Sequence, residues 1–284
     1  MFSRFSRLNF FNTRRRILYG LFASFFGLTI ALGSIQPVKA VPWIELLIRG
    51  AQIVQLSSIS DKQEVQLGSQ INEELIQSGR AKIYRGQAIN SYLNRIGQEL
   101  AKTSDRPDIP YTFQVVDDNS VNAFATMGGY VYINTGLMKT AQNEAELASV
   151  VGHEIGHIVG RHSIQQMRQR AIAQGILSAA GLDRAQAVQI GVELAVSRPN
   201  SRQDELEADR FGLDMIQKAN YAPSGMVSFM RKLLEQGGSA PSFLSTHPAT
   251  SERIQRLESE IPAQSADAGK GLNQQAYQSQ ISAL

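Results

Sequence analysis

The sequence predicts an α+β domain, mainly α-helical, with a small β-sheet beside one buried helix. Three observations predict it. Apolar residues recur at helical spacing after Asp61 and again after Gln87, so two amphipathic helices open the body. Between Tyr111 and Gly136 the pattern turns to alternation and to aromatic and β-branched residues, with Gly128-Gly129 as a turn between two short strands. Val150 to His162 then reads V-V-G-H-E-I-G-H-I-V-G-R-H, a helix whose flanks Val150, Val151, Ile155, Ile158 and Val159 call for burial.

The 284 residues suffice for one sizeable core. There is no cysteine, which excludes disulfides, thiolate metal ligands, a cysteine nucleophile and a lipid-modified N-terminal cysteine. The formal charge of +3 resides in residues 1–40, which hold Arg4, Arg7, Arg14, Arg15, Arg16 and Lys39 and no acid. Without those six the chain carries 22 basic against 25 acidic residues, a balance of −3 that excludes a basic nucleic-acid binder.

In order along the chain, Met1 to Arg16 is a basic n-region, and Ile17 to Leu32 is an apolar run of secretory length. Val38-Lys39-Ala40 before Val41 suits cleavage after Ala40. The expectation is export, with residues 1–40 a signal peptide or a retained N-terminal anchor. Thr13-Arg14-Arg15-Arg16-Ile17-Leu18 also reads as a twin-arginine signal. Residues 41–60 form a connector that can pack on the body or lie against a membrane surface.

Residues 61–262 form the domain proper. Asp61 is the expected N-cap of the first helix, with Glu64 completing a capping box, and Gly79 is its end. The second helix spans about Gln87 to Thr103. Asp105 to Pro110 is a break, Tyr111 to Val116 a strand, and Asn122 to Gly136 a strand, glycine turn and strand. Asn143-Glu-Ala-Glu146 opens the buried helix with acids at its positive end. That helix is expected to run to His162 or beyond, which would place His162 off the face of His157 as a solvated or structural histidine. Gln165 to Val196 is helical but interrupted by Gly175, Gly181 and Gly191, a lid or wall over a cleft. A helix from Ser201 to Gly212 and another from Pro223 to Gln236 follow. Ser245-Thr246-His247-Pro248 precedes a short amphipathic helix with Arg253, Ile254 and Leu257. Residues 263–284, rich in Gln, Ser, Ala and Gly, are expected to be a flexible tail.

The chemistry lies in H-E-x-x-H at His153, Glu154 and His157. Residues four apart share a helix face, so both imidazoles point one way and can bind one tetrahedral zinc ion. Glu154 stands beside the first ligand, where a carboxylate can take a proton from water. Glu205 and Asp209 are also four apart and lie on a second helix. One oxygen can complete the ligand set while Asp209 accepts the free N–H of a ligating histidine. On composition alone Glu207 rivals Glu205. The plain alternatives are two satisfied histidines in a buried helix and a solvated acidic helix face. The strand pair before the buried helix either only covers the core or offers an edge to which a peptide adds as a further strand.

Four pieces now agree in order and spacing: N-A-F-A-T-x-G-G-Y-V-Y-I-N-T-G-L from Asn122, H-E-I-G-H at 153–157, S-R-x-x-E-x-E-A-D at 201–209, and S-T-H-P followed by Arg253. Over residues 61 to 260 the chain resembles the gluzincin zinc endopeptidases that include HtpX, BepA and the Ste24-type prenyl proteases. The resemblance implies a gluzincin-like fold with one zinc per chain held by His153, His157 and Glu205, Glu154 as general base, and Asp209 and Arg253 in support. It also implies a substrate-binding edge from Asn122, Ala123, Phe124, Gly128, Gly129, Tyr130 and Tyr132.

The chain lacks the several membrane helices of some members and the helical repeats of others. It stands nearest the exported single-domain branch, which implies periplasmic or extracytoplasmic quality control of unfolded or misassembled envelope proteins. Peripheral membrane contact fits that setting, and nucleic acid does not.

His247, Tyr132 and Arg253 remain open as oxyanion donors. His247 is alternatively a fourth ligand that holds the site latent, or a plain cap before the last helix. One rival is a zinc-stabilised latent protein acting as a chaperone or binding protein, with His153, His157, Glu205 and His247 closing the site. Another is a hydrolase of non-peptide substrates.

Overall fold

The computed structural model describes residues 53–176, 181–197, 200–235, 242–248 and 251–284. The expected leader, and the connector up to residue 52, lie outside the described residues.

Helices α1 (Asp61–Gln77) and α2 (Gln87–Ala101) form where the apolar spacing predicts them. The cap of α1 differs from expectation by one residue. Ser60 Oγ accepts from the Gln63 amide, and the Gln63 side chain accepts from the Ser60 amide, a reciprocal capping box. Glu64 is therefore free to turn inward, where it accepts from Arg106 at 2.7 Å and from the Gly128 amide at 3.3 Å.

Three strands make the sheet: β2 (Thr112–Val116), β3 (Ala123–Thr126) and β4 (Tyr130–Asn134), in the order β2-β4-β3. β2 runs parallel to β4, and β3 forms an antiparallel hairpin with it, Phe124 opposite Tyr132. β3 is thus an edge strand. Alternation along β4 sends Val131 and Ile133 into one core and Tyr132 into the other. The first core gathers α2 with the helices behind the sheet. The second lies under α1, where Phe124 and Tyr132 stack at 4.4 Å. Gly128 and Gly129 have φ of +79° and +96°, and a Cβ at Gly128 would stand 2.9 Å from the Glu64 carbonyl oxygen. Only glycine allows this turn to seat so closely on α1.

A short α3 (Thr135–Thr140) leads into α4 (Glu144–Val159), the axis of the molecule. Asn143 caps α4 by accepting from the Glu146 amide at 3.0 Å. The helix ends at Val159, contrary to the expectation that it continues through His162. Arg161 takes φ +55°, and α5 (His162–Ala173) leaves in a new direction. Next, β5 (Leu182–Asp183) pairs with β1 (Ile53–Val54), and α6 (Arg184–Ser197) packs on α1, Gly191 against Ile71.

α7 (Arg202–Lys218) is the main partner of α4. A Cβ on Gly156 would meet the Ala208 carbonyl oxygen at 2.6 Å, and one on Gly212 would meet the His153 amide nitrogen at 3.0 Å. Glycine at both crossings lets the two helices close to backbone contact. The elements α8 (Ser224–Glu235), α9 (Ser242–Thr246) and α10 (Ser251–Glu260) complete the wall behind them.

The expected flexible tail is instead packed. It carries α11 (Gln274–Gln280), whose Tyr277 is buried and donates to the Met138 carbonyl at 2.6 Å. The Gly271 carbonyl accepts from the Ala145 amide in the first turn of α4. Composition suggested disorder, but two apolar anchors, Tyr277 and Ile281, suffice to dock the segment. Among the described residues no helix is long and apolar enough to cross a membrane.

Candidate metal centre

Helix geometry places His153 and His157 one turn apart on α4, facing α7 across the glycine crossing. From α7, Glu205 reaches both. From the segment after α9, His247 enters the same space, its ring stacked on Phe243 at 4.6 Å. His153, His157, Glu205 and His247 are all buried and each offers one donor atom to a common point.

The spacings test whether a metal ion fits. His153 Nε2 lies 3.1 Å from His157 Nε2 and 3.2 Å from His247 Nδ1. Glu205 Oε1 lies 3.3 Å from His157 Nε2 and 3.1 Å from His247 Nδ1, and Glu205 Oε2 lies 3.5 Å from His153 Nε2. Zinc bonds of ~2.0–2.1 Å in a tetrahedron separate the donors by ~3.3 Å. Three nitrogens and one carboxylate at these distances fit one zinc ion per chain.

Glu154 is wholly buried, and neither of its carboxylate oxygens has a hydrogen-bond partner. His247 Nε2 lies 3.4 Å from its Oε1. Burial raises its pKa above the ordinary carboxylate value. An orphaned carboxylate costs stability, so this one points to chemistry rather than to folding.

The other carboxylates are saturated. Asp209 Oδ1 stands 3.0 Å from His153 Nδ1, the partner that leaves Nε2 free for a metal. Arg253 donates through Nε and an Nη to Asp209, each at 2.7 Å, and through its other Nη to Glu205 and the Pro248 carbonyl. Burial works to raise Asp209, but these bonds outweigh it and hold the carboxyl below its ordinary value. Burial works to lower His153, yet its bonds to Asp209 and Glu205 raise it to about 9, whereas burial prevails at His157 and lowers it well below the usual value.

The structure separates residues that the sequence grouped together. Arg253 spends its donors on carboxylates and Pro248, and Tyr132 donates to Asn72 on α1 at 2.8 Å. Tyr132 is turned away from the cluster and Arg253 is bound to the outer side of Glu205, so of the three expected oxyanion donors only His247 lines the cleft beside Glu154. Glu207 lies outside the donor group and meets His162 at 3.2 Å. Phe124 and Ala125 border the cleft beside Glu154 and His157, but Gly128, Tyr130 and Tyr132 turn away toward α1 and its core, and Gly129 packs against Ile109 and Pro110. Asn122 begins the edge, its Oδ1 buried without a partner, and Ala123 is buried behind it. α6, from the glycine-interrupted segment, walls the cleft with Leu194 and Ala195.

One participant was not anticipated, and a second was expected only as a solvated or structural histidine. Asn200 lies beside His247, its Nδ2 3.2 Å from Nδ1 and 3.3 Å from the Thr246 carbonyl, and its Oδ1 accepts from Gln166. Nothing in its sequence context singles it out. His162, given as solvated or structural, is buried with Nδ1 2.8 Å from His157 Nδ1. Its spacing misleads because the helix breaks between the two.

A family model described as Peptidase family M48 matches residues 87–261. The chain is 34% identical over 182 residues to a putative beta-barrel assembly-enhancing protease of Vibrio cholerae, covering 58% of this chain and 38% of that protein. It is 30% identical over 215 residues to the beta-barrel assembly-enhancing protease of Escherichia coli K12, covering 70% and 44%. It is also 30% identical over 197 residues to the metalloprotease YcaL of the same organism, covering 64% and 77%. The matched region thus spans less than half the length of the first two relatives.

Proposed function

Because the chain belongs to peptidase family M48, we propose that it is a zinc-dependent metalloendopeptidase that hydrolyses peptide bonds in proteins. The observation that carries this reading is Glu154, a fully buried carboxylate without a hydrogen-bond partner, beside a zinc-shaped donor set.

When bound, zinc supplies a Lewis acid for the scissile carbonyl and for the attacking water. His153, His157 and Glu205 hold it. Asp209 accepts the Nδ1 proton of His153, and Arg253 offsets the charge of Asp209 and Glu205. Glu154 takes a proton from the attacking water and returns it to the leaving amine. The substrate main chain adds along β3 at Asn122 to Ala125, which favours a peptide over a non-peptide substrate. The chaperone alternative gives no account of Glu154, since a purely structural zinc site has no need of that carboxylate.

The closed donor set supports one refinement. His247 occupies the fourth position, where a catalytic site keeps room for water. This state is latent, and His247 withdraws for catalysis. The substrates are unfolded or misassembled envelope proteins, as the names of the assembly-enhancing relatives suggest. The basic apolar leader points to an exported, periplasmic or extracytoplasmic protein with peripheral membrane contact.

Digestion of casein by the parent and by Glu154→Gln, with zinc content measured in both, tests the reading. Equal zinc with cleavage only by the parent supports it. Equal cleavage by both refutes the role of Glu154. Zinc in both with no cleavage by either calls for His247→Ala, which restores activity if the site is latent.

A further inference from the structure

The two histidines of the motif are oriented by different partners. His153 faces an anion, Asp209. His157 faces a second imidazole: its Nδ1 lies 2.8 Å from His162 Nδ1, and His162 Nε2 lies 3.2 Å from Glu207 Oε2. His162 is 1% exposed, whereas the Glu207 side chain is 40% exposed, so the three residues form a line from the metal centre to solvent.

The backbone is built to deliver this contact. On a continuous helix a residue five positions after His157 would lie about 140° round from it. Instead α4 stops, and Arg161 takes the left-handed conformation that a non-glycine residue rarely adopts. The Arg161 guanidinium is held by Asp61 and by the Ile59 carbonyl, which secures the turn. Gly160 supplies the space, since a Cβ there would stand 2.4 Å from His162 Nε2.

Proton bookkeeping leaves one arrangement. If His157 binds zinc through Nε2, its proton sits on Nδ1 and must be donated. His162 Nδ1 must then be the acceptor, so neutral His162 carries its own proton on Nε2. That proton meets the carboxylate of Glu207. Both hydrogen bonds are satisfied with no buried charge created.

We propose that His162, backed by Glu207, is a positioning residue that fixes the tautomer and orientation of His157 for metal binding. The inference deepens the zinc reading of His157 and rests on it. Glu207, the rival ligand on composition, anchors a ligand's partner instead of the ion. Partners of this kind are typically worth about 10- to 100-fold in metal affinity.

The test uses the full chain and two readouts besides activity. Chelator competition gives zinc affinity for the parent, His162→Phe, His162→Asn and Glu207→Ala. Phenylalanine fills the space without an acceptor and should weaken zinc binding about 10- to 100-fold. Asparagine places Oδ1 where Nδ1 was and should stay within about threefold of the parent, a rescue that a space-filling role does not predict. Glu207→Ala should fall between them. Long-range proton–nitrogen NMR of the histidine rings in the zinc-loaded parent should find His162 protonated on Nε2 alone. A proton on His162 Nδ1 overturns the proposal whether or not any variant folds, and so does unchanged affinity in His162→Phe. Failure of the zinc reading is distinct: the parent itself would then bind no zinc.

Discussion

The two ends of α4 carry carboxylates under opposite conditions. At the N-terminal end Glu144 accepts from Tyr92, Arg95 and Tyr221, and Glu146 accepts from the Gln142 amide, Ser228 and Lys232. The dipole of α4 also favours negative charge there. Near the other end Glu154 is as buried as Glu146, lies near the negative pole, and accepts no hydrogen bond. Folding accounts for the first pair through saturated bonds. It does not account for Glu154, whose burial opposes stability. One helix thus separates carboxylates that the fold satisfies from one that it leaves without a hydrogen bond.

Substitutions can break this comparison. The largest effect is expected at Glu154→Gln, which should lower casein cleavage by about 10²–10⁴-fold, the usual worth of general acid–base catalysis. Thermal unfolding should show the variant at least as stable as the parent, because a neutral amide replaces an orphaned charge. A clear loss of stability would mean that Glu154 belongs to the fold. Lys232→Met should do the reverse, leaving Glu146 buried beside an apolar group and lowering stability by about 3–5 kcal/mol in denaturant titration. The folded fraction should keep its zinc and its activity.

His247→Ala sharpens the functional side. Zinc content should persist on three ligands while cleavage rises, roughly tenfold if the parent is open a tenth of the time. A fall in cleavage would assign His247 to the oxyanion instead. Tyr132→Phe should remove only the bond to Asn72, at about 1 kcal/mol of stability. Unchanged turnover would confirm that its hydroxyl takes no part in the reaction.

The smallest effect is pH-linked. Burial works to raise Glu144, but its bonds to Arg95 and Tyr92 hold it below its ordinary 4.5. A depressed carboxyl contributes stability that is full above the unfolded value and lost as pH falls through the folded one. The stability difference between parent and Glu144→Gln should therefore shrink in acid below about pH 4.5.

Much of the site was legible in the sequence because its residues come in helical pairs. H-E-x-x-H and E-x-x-x-D each place two side chains on one face by local geometry alone, and the structure brings both faces to one point. The choice of Glu205 over Glu207 was open on composition, since three consecutive α7 positions are Glu205, Leu206 and Glu207. Rotation of α7 about the Gly156–Ala208 contact decides it, turning Glu205 inward and Glu207 toward His162. The family resemblance implied Tyr132 and the glycine pair as part of a substrate-binding edge, and strand alternation cannot say which core each face meets. The tail 263–284 looked loose because composition averages over Tyr277 and Ile281, the two side chains that dock it.

The sequence by itself determined the helical body, the hairpin, the class of metal and the residue types that can serve it. Those follow from periodicity, turn chemistry and ligand preference, which act within a few residues. Tertiary structure alone decided that His247 closes the ligand set from some forty residues beyond Glu205. It also decided that His162 lies beneath His157 after a left-handed turn, and that Asn200 holds the closing segment. Each of these depends on where one backbone crosses another, and no local pattern encodes a crossing.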